Sequence, residues 1–454
     1  MKLPLTFTAF ALLATPGFAA CVDVQPNAPT YVDDPPTASV IFDSFVINST
    51  DTSLNCALET PGREGAPVPP AGEISAYSAD YRGFVGPDRP ATLTVTENGV
   101  TRTVVLDPDF SDVMLHSYVG TDADGDLNSD ITLTVEGNDQ DLAAGLDSVD
   151  YLLLATTTVD AQIVSLEDVS VARTGVVTHL NATTGLLFGG NQPLDRETEV
   201  GAFGAVGSHT VGANGHFNLG DGFSLDAGAA IFDQSVGGAS TSGVLLGGKA
   251  TWLQPDDGGG FRWLGSAGVM AAPGMSLSFS RDYLNIAPGG GTISGDGSGS
   301  GNLFGIWAEA GVLVAPAPDN GIMFSASLAR NWLNFDYAER QTDENPFALS
   351  IDDAVSTYDT VKAKAAWTAA IAEDIDLTLH GAVGYLNAYD DLDGDVALVG
   401  ALTAGGVSEA FVEYGARVGW SFAEDARWDV FALGSTGAET GTHAQIGTAI
   451  SMKF

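Results

Sequence analysis

Residues 442–454 read THAQIGTAISMKF, and they alternate between two kinds of side chain. One parity is mostly apolar: Ala444, Ile446, Thr448, Ile450, Met452 and Phe454. The other parity is mostly polar: His443, Gln445, Gly447, Ala449, Ser451 and Lys453. Because a strand places alternate side chains on opposite faces, this segment has one apolar face and one polar face. A barrel strand in lipid needs this pattern, and an amphipathic edge strand of a soluble sandwich also shows it.

The same alternation recurs through the second half of the sequence, which favours the barrel. Further apolar rows that share one face begin at Leu225, Val244, Phe261, Phe304, Ile322, Val361, Ile375 and Val412. We predict twelve antiparallel strands over residues 198–454, with a shift of the alternation at a bulge near Arg330. Short polar turns alternate with long irregular loops predicted near 272–301, 336–356 and 388–406, which is typical of outer-membrane barrels.

Charged residues of both signs lie on the parity opposite the apolar rows. These candidate lumen residues are Lys249, Arg262, Glu309, Lys364, His380, Glu409, Glu413 and Arg417. Such charges would be untenable in a soluble core unless they were paired, so we expect a hydrated, filled lumen. Trp252, Trp263 and Trp420 lie beside short turns, where a membrane-interface girdle of aromatic residues belongs.

The length and charge of the chain narrow its class. The 454 residues suggest two units, and the formal net charge of -41 disfavours a partner with a phosphate backbone, so no nucleic acid is expected. After the first segment no run of about twenty apolar residues offers a transmembrane helix. Entry into a membrane would therefore require a closed barrel.

Residues 1–19 have the features of a secretory signal. Lys2 supplies the charged region, residues 3–13 the apolar region, and cleavage is expected after Ala19. Cys21 and Cys56 are the two cysteines of the chain, and in an exported protein they most simply form a disulfide. Lipidation of Cys21 is the alternative.

Residues 20–165 read as an acidic, β-rich domain resembling a sandwich. Strand-like runs cover 38–47, 91–97, 100–106, 130–136, 149–158 and 161–171. Asn98-Gly99 between two of these runs predicts a hairpin with a type I′ turn.

One acidic segment of this domain could bind Ca²⁺. Its candidate ligands are Asp122, Asp124, Asp126, Asn128 and Asp130. Alternate oxygen donors around Gly125 suit a calcium loop, although the spacing is not that of an EF-hand. A solvated acidic turn is the alternative. We find no GxSxG, HExxH or phosphate-loop pattern in the sequence, so we do not expect an enzyme.

Residues 166–197 form a connector with helical spacing. Val176, Leu180, Thr183 and Leu187 recur at intervals of three and four, and Asn191-Gln192-Pro193 ends the pattern. The β-branched residues make this helix weak by propensity, so it would need surroundings to hold it. A solvent-exposed linker is the alternative.

Taken in this order, the signal, the β-rich domain, the connector and the twelve strands resemble an autotransporter of the type V secretion family. The resemblance implies a monomeric barrel that the barrel-assembly machinery inserts into outer-membrane lipid of a Gram-negative bacterium, with an assembly signal at Ile450, Met452 and Phe454. It also implies that residues 20–165 are a passenger at the cell surface and that the connector occupies the pore. The candidate lumen residues other than His380 would contact that connector or its water.

The chain departs from the family pattern in two respects. The passenger is short and lacks repeated β-helix rungs, and the connector lacks the paired asparagines used for self-cleavage, with only Asn181 in mid-helix. We therefore expect the passenger to stay attached and to act by adhesion, through a surface glycan or protein ligand. The alternative function is an outer-membrane channel with a periplasmic N-terminal domain.

Overall fold

A computed structural model describes residues 21–31, 38–48, 53–59, 72–85, 91–97, 100–106, 113–120, 129–136, 143–188, 197–236, 238–256, 258–287, 289–317 and 320–454. The predicted signal segment, residues 1–19, and Asn191-Gln192-Pro193 lie outside these ranges. The chain divides into two compact units: residues 1–158 with 285–291, and residues 159–284 with 292–454.

The first unit is built from antiparallel strands. They are β1 (Cys21–Tyr31), β2 (Ala38–Asn48), β3 (Ser53–Glu59), β4 (Glu73–Val85), β5 (Ala91–Glu97), β6 (Val100–Leu106), β7 (Val113–Gly120), β8 (Ser129–Glu136) and β9 (Ala143–Thr158). They form one sheet in the order β1-β2-β9-β4-β7 and another in the order β3-β8-β5-β6. Glu97 pairs with Val100, so the predicted hairpin of these two strands is confirmed, while its turn residues Asn98-Gly99 lie outside the described residues.

The second unit contains the helix α1 (Val159–Leu187) and fourteen strands. These strands are β10 (Glu199–Val206), β11 (Thr210–Gly220), β12 (Phe223–Val236), β13 (Ala239–Leu253), β14 (Phe261–Leu284), β15 (Thr292–Ala317), β16 (Asn320–Glu339), β17 (Leu349–Ala372), β18 (Ile375–Ala388), β19 (Leu392–Val396), β20 (Gly400–Ala404), β21 (Glu409–Ala423), β22 (Ala426–Gly437) and β23 (Gly441–Lys453).

The sheet of the second unit closes on itself. Pairing of β10 with β23 aligns Glu199 with Lys453, and pairing of β16 with β17 joins the two remaining edges. The small hairpin β19–β20 attaches to the side of β17, and the other strands form a closed barrel of twelve antiparallel strands. Closure leaves no sheet edge, which a barrel in lipid requires. The predicted barrel is confirmed.

The two ends of this barrel have different connections. At the end that we call the turn end, neighbouring strands are joined through 221–222, 254–260, 318–319, 373–374 and 424–425. At the other end, the loop end, they are joined through 207–209, 237–238, 285–291, 340–348, 389–408 and 438–440. The first strand β10 begins and the last strand β23 ends at the turn end, as the alternation of turns and loops predicts.

The prediction of long loops near 272–301 and 336–356 is wrong, because most of these residues belong to the strands. β14 and β17 each have 24 residues, and β15 has 26. A strand needs only about 9–11 residues to cross a bilayer. Roughly half of each long strand therefore extends beyond the membrane at the loop end.

The burial pattern of β14 inverts where this extension begins. Up to Ala272 the even-numbered residues face inward, and after Pro273-Gly274 the odd-numbered residues do. We call 261–272 of β14 and 303–314 of β15 the membrane band, and 275–284 and 292–302 the loop-end extension. In the membrane band apolar residues face outward. In the extension Met275, Leu277, Phe279 and Tyr283 face inward and are at most 3% exposed.

The glycine-rich part of the extension is a strand because its glycines leave room for aromatic rings. Gly295, Gly297, Gly299 and Gly301 occupy alternate positions on the inner face of β15. A Cβ at Gly297 would overlap the ring of Tyr337, and one at Gly301 would lie 2.9 Å from Leu277 Cδ1. Composition alone suggested a loop, but the glycines here permit close packing.

Two further predictions are corrected. The β15–β16 pairing is continuous from Gly297–Glu339 to Val314–Ile322, so there is no bulge near Arg330; the side chain simply faces outward beyond the apolar rows. The strand predicted over 161–171 is helical and belongs to α1. Its buried residues Leu166, Val169 and Ala172 recur every three residues, and this helical spacing outweighs the β-branched composition. Among the described residues, no helix is long and apolar enough to cross a membrane.

Candidate functional site: the plugged lumen

The helix α1 lies inside the barrel and is buried around its whole circumference from Ala172 to Leu180, whereas Val164, Glu167 and Asp168 nearer its N-terminus are exposed. Its buried side chains include Leu166, Val169, Ala172, Arg173, Val176, Val177, Leu180, Thr183 and Leu187. A helix of 29 residues is about 43 Å long, which is enough to pass from the loop end into the part of the lumen nearer the turn end. Its N-terminal residue Val159 is at the loop end, and at the other end Leu187 packs against Gly228 of the wall.

Hydroxyl side chains of α1 donate hydrogen bonds to backbone carbonyl oxygens of the same helix. Ser165 Oγ donates to the carbonyl of Gln162 at 2.7 Å, and Thr184 Oγ1 donates to that of Leu180 at 2.7 Å. Such back-bonding is neutral or unfavourable for a helix in water, but it removes unpaired hydroxyls from a desolvated interior. The surrounding wall therefore explains why a sequence of weak helix propensity is helical here.

At the loop end, Arg281 of β14 joins the helix to the wall. Its Nε and Nη2 donate to the two carboxylate oxygens of Glu339 at 3.0 Å each, and both side chains are 0% exposed. Its Nη1 donates to Gln162 Oε1 at 2.6 Å and to Ser165 Oγ at 2.9 Å, both on α1. Bidentate geometry and additional hydrogen bonds are the conditions under which a buried ion pair is tolerated.

Glu339 is held by a further set of donors. Tyr337 Oη donates to Glu339 Oε1 at 3.0 Å, and Asn345 Nδ2 and the Leu349 amide donate to Oε2 at 3.1 and 3.0 Å. Tyr283 Oη in turn donates to Asn345 Oδ1 at 3.0 Å. The ion pair therefore lies in a satisfied network that links the helix, three long strands and the connection 340–348.

The connection 389–408, which contains the β19–β20 hairpin, also bonds to α1. Arg173 Nη2 donates to the carbonyl of Asp390 at 2.8 Å, and its Nη1 donates to Ser356 Oγ at 2.5 Å. Ser170 Oγ donates to the Gly405 carbonyl at 3.0 Å, and Thr174 Oγ1 to the Val407 carbonyl at 3.1 Å. This predicted irregular loop is thus a folded cover on the helix.

Predicted lumen residues in the middle of the barrel form ion pairs with residues of other strands. Lys249 Nζ lies 3.3 Å from Asp226 Oδ2, and Asp226 Oδ1 lies 2.8 Å from His216 Nδ1. Glu413 pairs with Lys362 at 3.0 Å.

Other predicted lumen residues reach α1 or its surroundings. Glu309 accepts a hydrogen bond from Ser325 Oγ at 2.6 Å. Glu409 accepts from Thr178 Oγ1 of the helix at 3.2 Å and from Thr440 Oγ1 at 2.8 Å. Among the predicted lumen residues, Glu409 therefore hydrogen-bonds to the helix itself.

Near the turn end, two arginines and two aspartates form a compact cluster. Arg417 Nη1 lies 2.5 Å from Asp429 Oδ1 and its Nη2 lies 2.8 Å from Asp376 Oδ1. Arg427 contacts both aspartates as well, at 3.0 Å from Asp429 Oδ1. Arg262 instead donates through Nε to the carbonyl of Gln254 at 2.5 Å. The two positive and two negative charges of this cluster balance one another.

A cavity of about 200 Å³ lies beside the C-terminal half of α1. Its lining includes Lys249, Glu309, Lys362, Lys364, His380, Glu413 and His443 from the wall, and Thr178, Asn181 and Phe188 from the helical segment. The volume is sufficient for several water molecules. The helix therefore occupies the lumen, and this polar cavity remains beside it.

Sequence reasoning missed several interior charges. They are Arg173, Asp226, Arg281, Glu339, Lys362, Asp376, Arg427 and Asp429. The alternation of inward and outward side chains, applied to every position of each predicted strand, could have identified five of them. These five are Asp226, Lys362, Asp376, Arg427 and Asp429. Arg281 and Glu339 required knowledge that the strands continue into segments that were predicted as loops.

The predicted calcium and disulfide sites fall largely outside the described residues. Asp122, Asp124, Asp126 and Asn128 lie there, and Asp130 is paired in β8 with Thr96. Cys21 and Cys56 lie on β1 and β3, strands of different sheets, and their side chains are not among those described. The disulfide therefore gains no support.

The residues of the expected assembly signal lie on the lipid-facing row of β23. Ile450 is 49% exposed, Met452 52% and Phe454 82%. Trp252, Trp263, Trp420 and Trp428 face outward near the turn end. This is where an aromatic girdle would meet the membrane interface.

Solved structures similar to this chain include translocator domains of autotransporters. One is the translocator domain of the autotransporter NalP from Neisseria meningitidis, with 13% identity and a TM-score of 0.42, covering 62% of this chain and 98% of that chain. Another is the beta domain of the Bordetella autotransporter BrkA, with 14% identity and a TM-score of 0.34, covering 57% of this chain and 99% of that chain. The NanC porin has 9% identity and a TM-score of 0.33, covering 57% of this chain and 100% of that chain.

No protein-family model matches this chain, and no curated protein matches it. The assignment of a closed twelve-stranded barrel rests on the strand pairing of this chain itself.

Proposed function

We propose that this protein anchors a small acidic β-rich domain at the surface of a Gram-negative cell, with the plugged barrel embedded in the outer membrane. The N-terminal domain would act by adhesion, through a surface glycan or another protein. It is expected to remain attached to the barrel.

The observation that carries this proposal is the direction of the helix in the lumen. Val159 begins α1 at the loop end, and Thr158 directly precedes it in the chain. Since the first barrel strand starts at the turn end, the polypeptide crosses the full barrel before it enters the wall. An antiparallel outer-membrane barrel has its short turns in the periplasm, so residues before Val159 would emerge outside.

Protease treatment of intact cells tests this display. A protease added to whole cells should remove residues before Val159 and leave the barrel as a folded, heat-modifiable band. A soluble periplasmic protein in the same cells should survive, as the control for an intact envelope. Protection of the N-terminal domain together with that control would overturn the proposal.

The alternative is a channel with a periplasmic domain. The lumen charges agree with it, but α1 and its hydrogen bonds to Arg281 and Glu409 fill the passage. In planar bilayers we expect the full chain to show small, infrequent conductance and a variant lacking 166–197 to show large openings. Stable large openings in the full chain would favour the channel.

Calcium binding by the segment 122–130 is a separate part of this proposal. If Ca²⁺ orders that segment, chelation should make the N-terminal domain cleave faster in the same shaving assay. Replacing Asp124 and Asp126 by Asn should reproduce the effect of chelation, whereas the same replacement at Asp390 and Asp391 should not.

A further inference from the structure

The connection between β14 and β15 belongs to the N-terminal unit. We call its residues, Asn285–Gly291, the tip segment; they form one compact unit with residues 1–158. The Ile286 amide donates to the carbonyl of Thr156 in β9 at 2.8 Å, and the Thr156 amide donates to Asn285 Oδ1 at 3.0 Å. The tip segment therefore bonds to β9 as a neighbouring strand would, with a side-chain oxygen in place of one backbone carbonyl.

The end of β9 needs such a neighbour. On one side β9 pairs with β4 as far as Thr158, opposite Glu73. On the other side, in the part of the chain that the structure describes, its pairing with β2 extends only to Leu152. Without the tip segment, the amide and carbonyl of Thr156 would form an open strand edge.

The register of β9 and β4 turns these two groups toward the tip segment. Thr156 lies opposite Ser75. Since the amide and the carbonyl of Thr156 both bond to the tip segment, the pair with Ser75 is of the antiparallel kind that exchanges no backbone hydrogen bonds. Side chains lie close together in such a pair, and here the two hydroxyl oxygens are 2.9 Å apart. The three chain segments are therefore joined at one residue, Thr156.

The tip segment is a folded turn. The Gly290 amide donates to the Ala287 carbonyl at 2.8 Å, and Gly289 has a φ of 77°, as the third position of a type II turn requires. The Asn285 amide donates to the Gly291 carbonyl at 2.7 Å. Asn285 Oδ1 also accepts from the Ala287 amide at 3.0 Å. These internal bonds preorganise the groups that bond to β9, which lowers the entropy lost on docking.

We propose that the tip segment is a docking element for the N-terminal domain, which depends on it to complete the edge of β9. The contact lies where the chain leaves this domain, since α1 begins at Val159, three residues after Thr156. It covers an edge that would otherwise be open to pairing with another chain. The inference holds on either side of the membrane, so it does not rest on the display proposed above.

Removing the tip segment tests its role. Leu284 and Thr292 are paired, so replacing residues 285–291 by Asn-Gly should close the hairpin through a type I′ turn. The full chain is purified in detergent, where a broad-specificity protease reaches both ends of the barrel. We expect an unchanged heat-modifiable barrel and about tenfold faster cleavage of the N-terminal domain, because lost hydrogen bonds increase the population of its open form. An unchanged cleavage rate with a folded barrel would overturn the proposal.

Single substitutions sharpen the test. Asn285→Ala removes the oxygen that accepts from Thr156, and we expect about threefold faster cleavage. Asn285→Asp keeps an acceptor and should restore a rate close to that of the wild type. The matched control is Asn302→Ala, which removes an oxygen that accepts from the Gly274 amide at 2.9 Å within the same hairpin.

The control should leave the cleavage rate unchanged. Equal acceleration by Asn285→Ala and Asn302→Ala would mean general loosening of the hairpin and would contradict docking. If the Asn-Gly replacement does not fold, Asn285→Ala decides the result. Protease treatment of intact cells reports where the domain lies, whereas this assay reports only its stability, so the two proposals can fail separately.

Discussion

The membrane band and the loop-end extension are built from the same strands with opposite arrangements of apolar and polar side chains. In the band, Ala267 and Val269 of β14 face outward while Arg262 faces the lumen. In the extension, Ser276 faces outward while Leu277 and Phe279 face inward. The outside changes from lipid to water along one strand, and the inside changes from a hydrated lumen to a packed core.

This difference shows where the barrel is sealed. In the band, the helix lies beside a polar cavity lined by Lys364 and Glu309. In the extension, Phe279 contacts Tyr337 with ring centroids 5.3 Å apart, and Tyr283 contacts Phe347 at 5.9 Å. The extension is therefore packed like the core of a soluble protein, and it closes the lumen above the membrane.

Two arginine–carboxylate pairs differ in the same way, since one is buried inside the extension and the other lies on the outer surface. Arg281–Glu339 lies inside the extension with both side chains 0% exposed, whereas Arg330–Asp359 lies on the outer surface with exposures of 48% and 28%. Both pairs are bidentate. Removing one partner should lower the free energy of unfolding much more for the buried pair, because it leaves an uncompensated buried charge.

The largest expected effect is that of Glu339→Gln. It keeps the shape of the side chain but leaves Arg281 charged and buried, so we expect a loss of about 3–5 kcal/mol in the free energy of unfolding. Urea unfolding of the barrel refolded in liposomes measures this loss. Asp359→Asn is the matched control and should change the midpoint within experimental error, because water already solvates that pair.

If Glu339→Gln and Asp359→Asn destabilise the protein equally, the extension is not a dry core. Planar-bilayer recording gives a second readout. The Glu339→Gln variant should open more often than the wild type, because Arg281 also holds Gln162 and Ser165 of the helix.

The sequence predicted the barrel well because alternation is a local property. Ile446, Ile450 and Met452 reveal their outward face within one strand, and closure then follows from the repetition of the pattern. The extension was missed because glycine and serine resemble loop residues when Gly297 and Ser298 are read without their partners. Only the ring of Tyr337, some forty residues later, explains why a glycine lies there.

The candidate site shows the same limit. Interior charges such as Lys249 and Glu413 could be assigned from parity, since each lies opposite an apolar row. The hydrogen bond from Thr178 of the helix to Glu409 could not, because it depends on how far the helix enters the barrel. The helix boundary at Val159 was similarly hidden, since Val and Ile over 161–171 favour a strand until a surrounding wall buries them.

A lysine scan on the outer face of β14 measures where lipid ends. Ala267→Lys places a charge near the middle of the membrane band, and we expect a loss of about 2–4 kcal/mol. Ser276→Lys lies beyond Pro273-Gly274 on the exposed face of the extension and should be close to neutral. Urea unfolding in liposomes reports both values, and detergent micelles should reduce the first. A large loss at Ser276→Lys would place the extension inside the bilayer.

The smallest expected effect distinguishes two glycines on neighbouring strands. A Cβ at Gly297 would overlap the Tyr337 ring, which is held by its hydroxyl bonds to Glu339 and to the Phe279 carbonyl. Overpacking by Gly297→Ala should cost about 1–3 kcal/mol, reduced by about 0.4–1 kcal/mol through the smaller entropy of the unfolded chain. Gly265→Ala in the membrane band meets no atom within 4 Å, so only the entropy gain applies and the variant should be slightly more stable. Urea midpoints that shift in opposite directions would support a tight extension and a looser band. Stabilisation by both changes would mean that Tyr337 can move aside and that the extension is not closely packed.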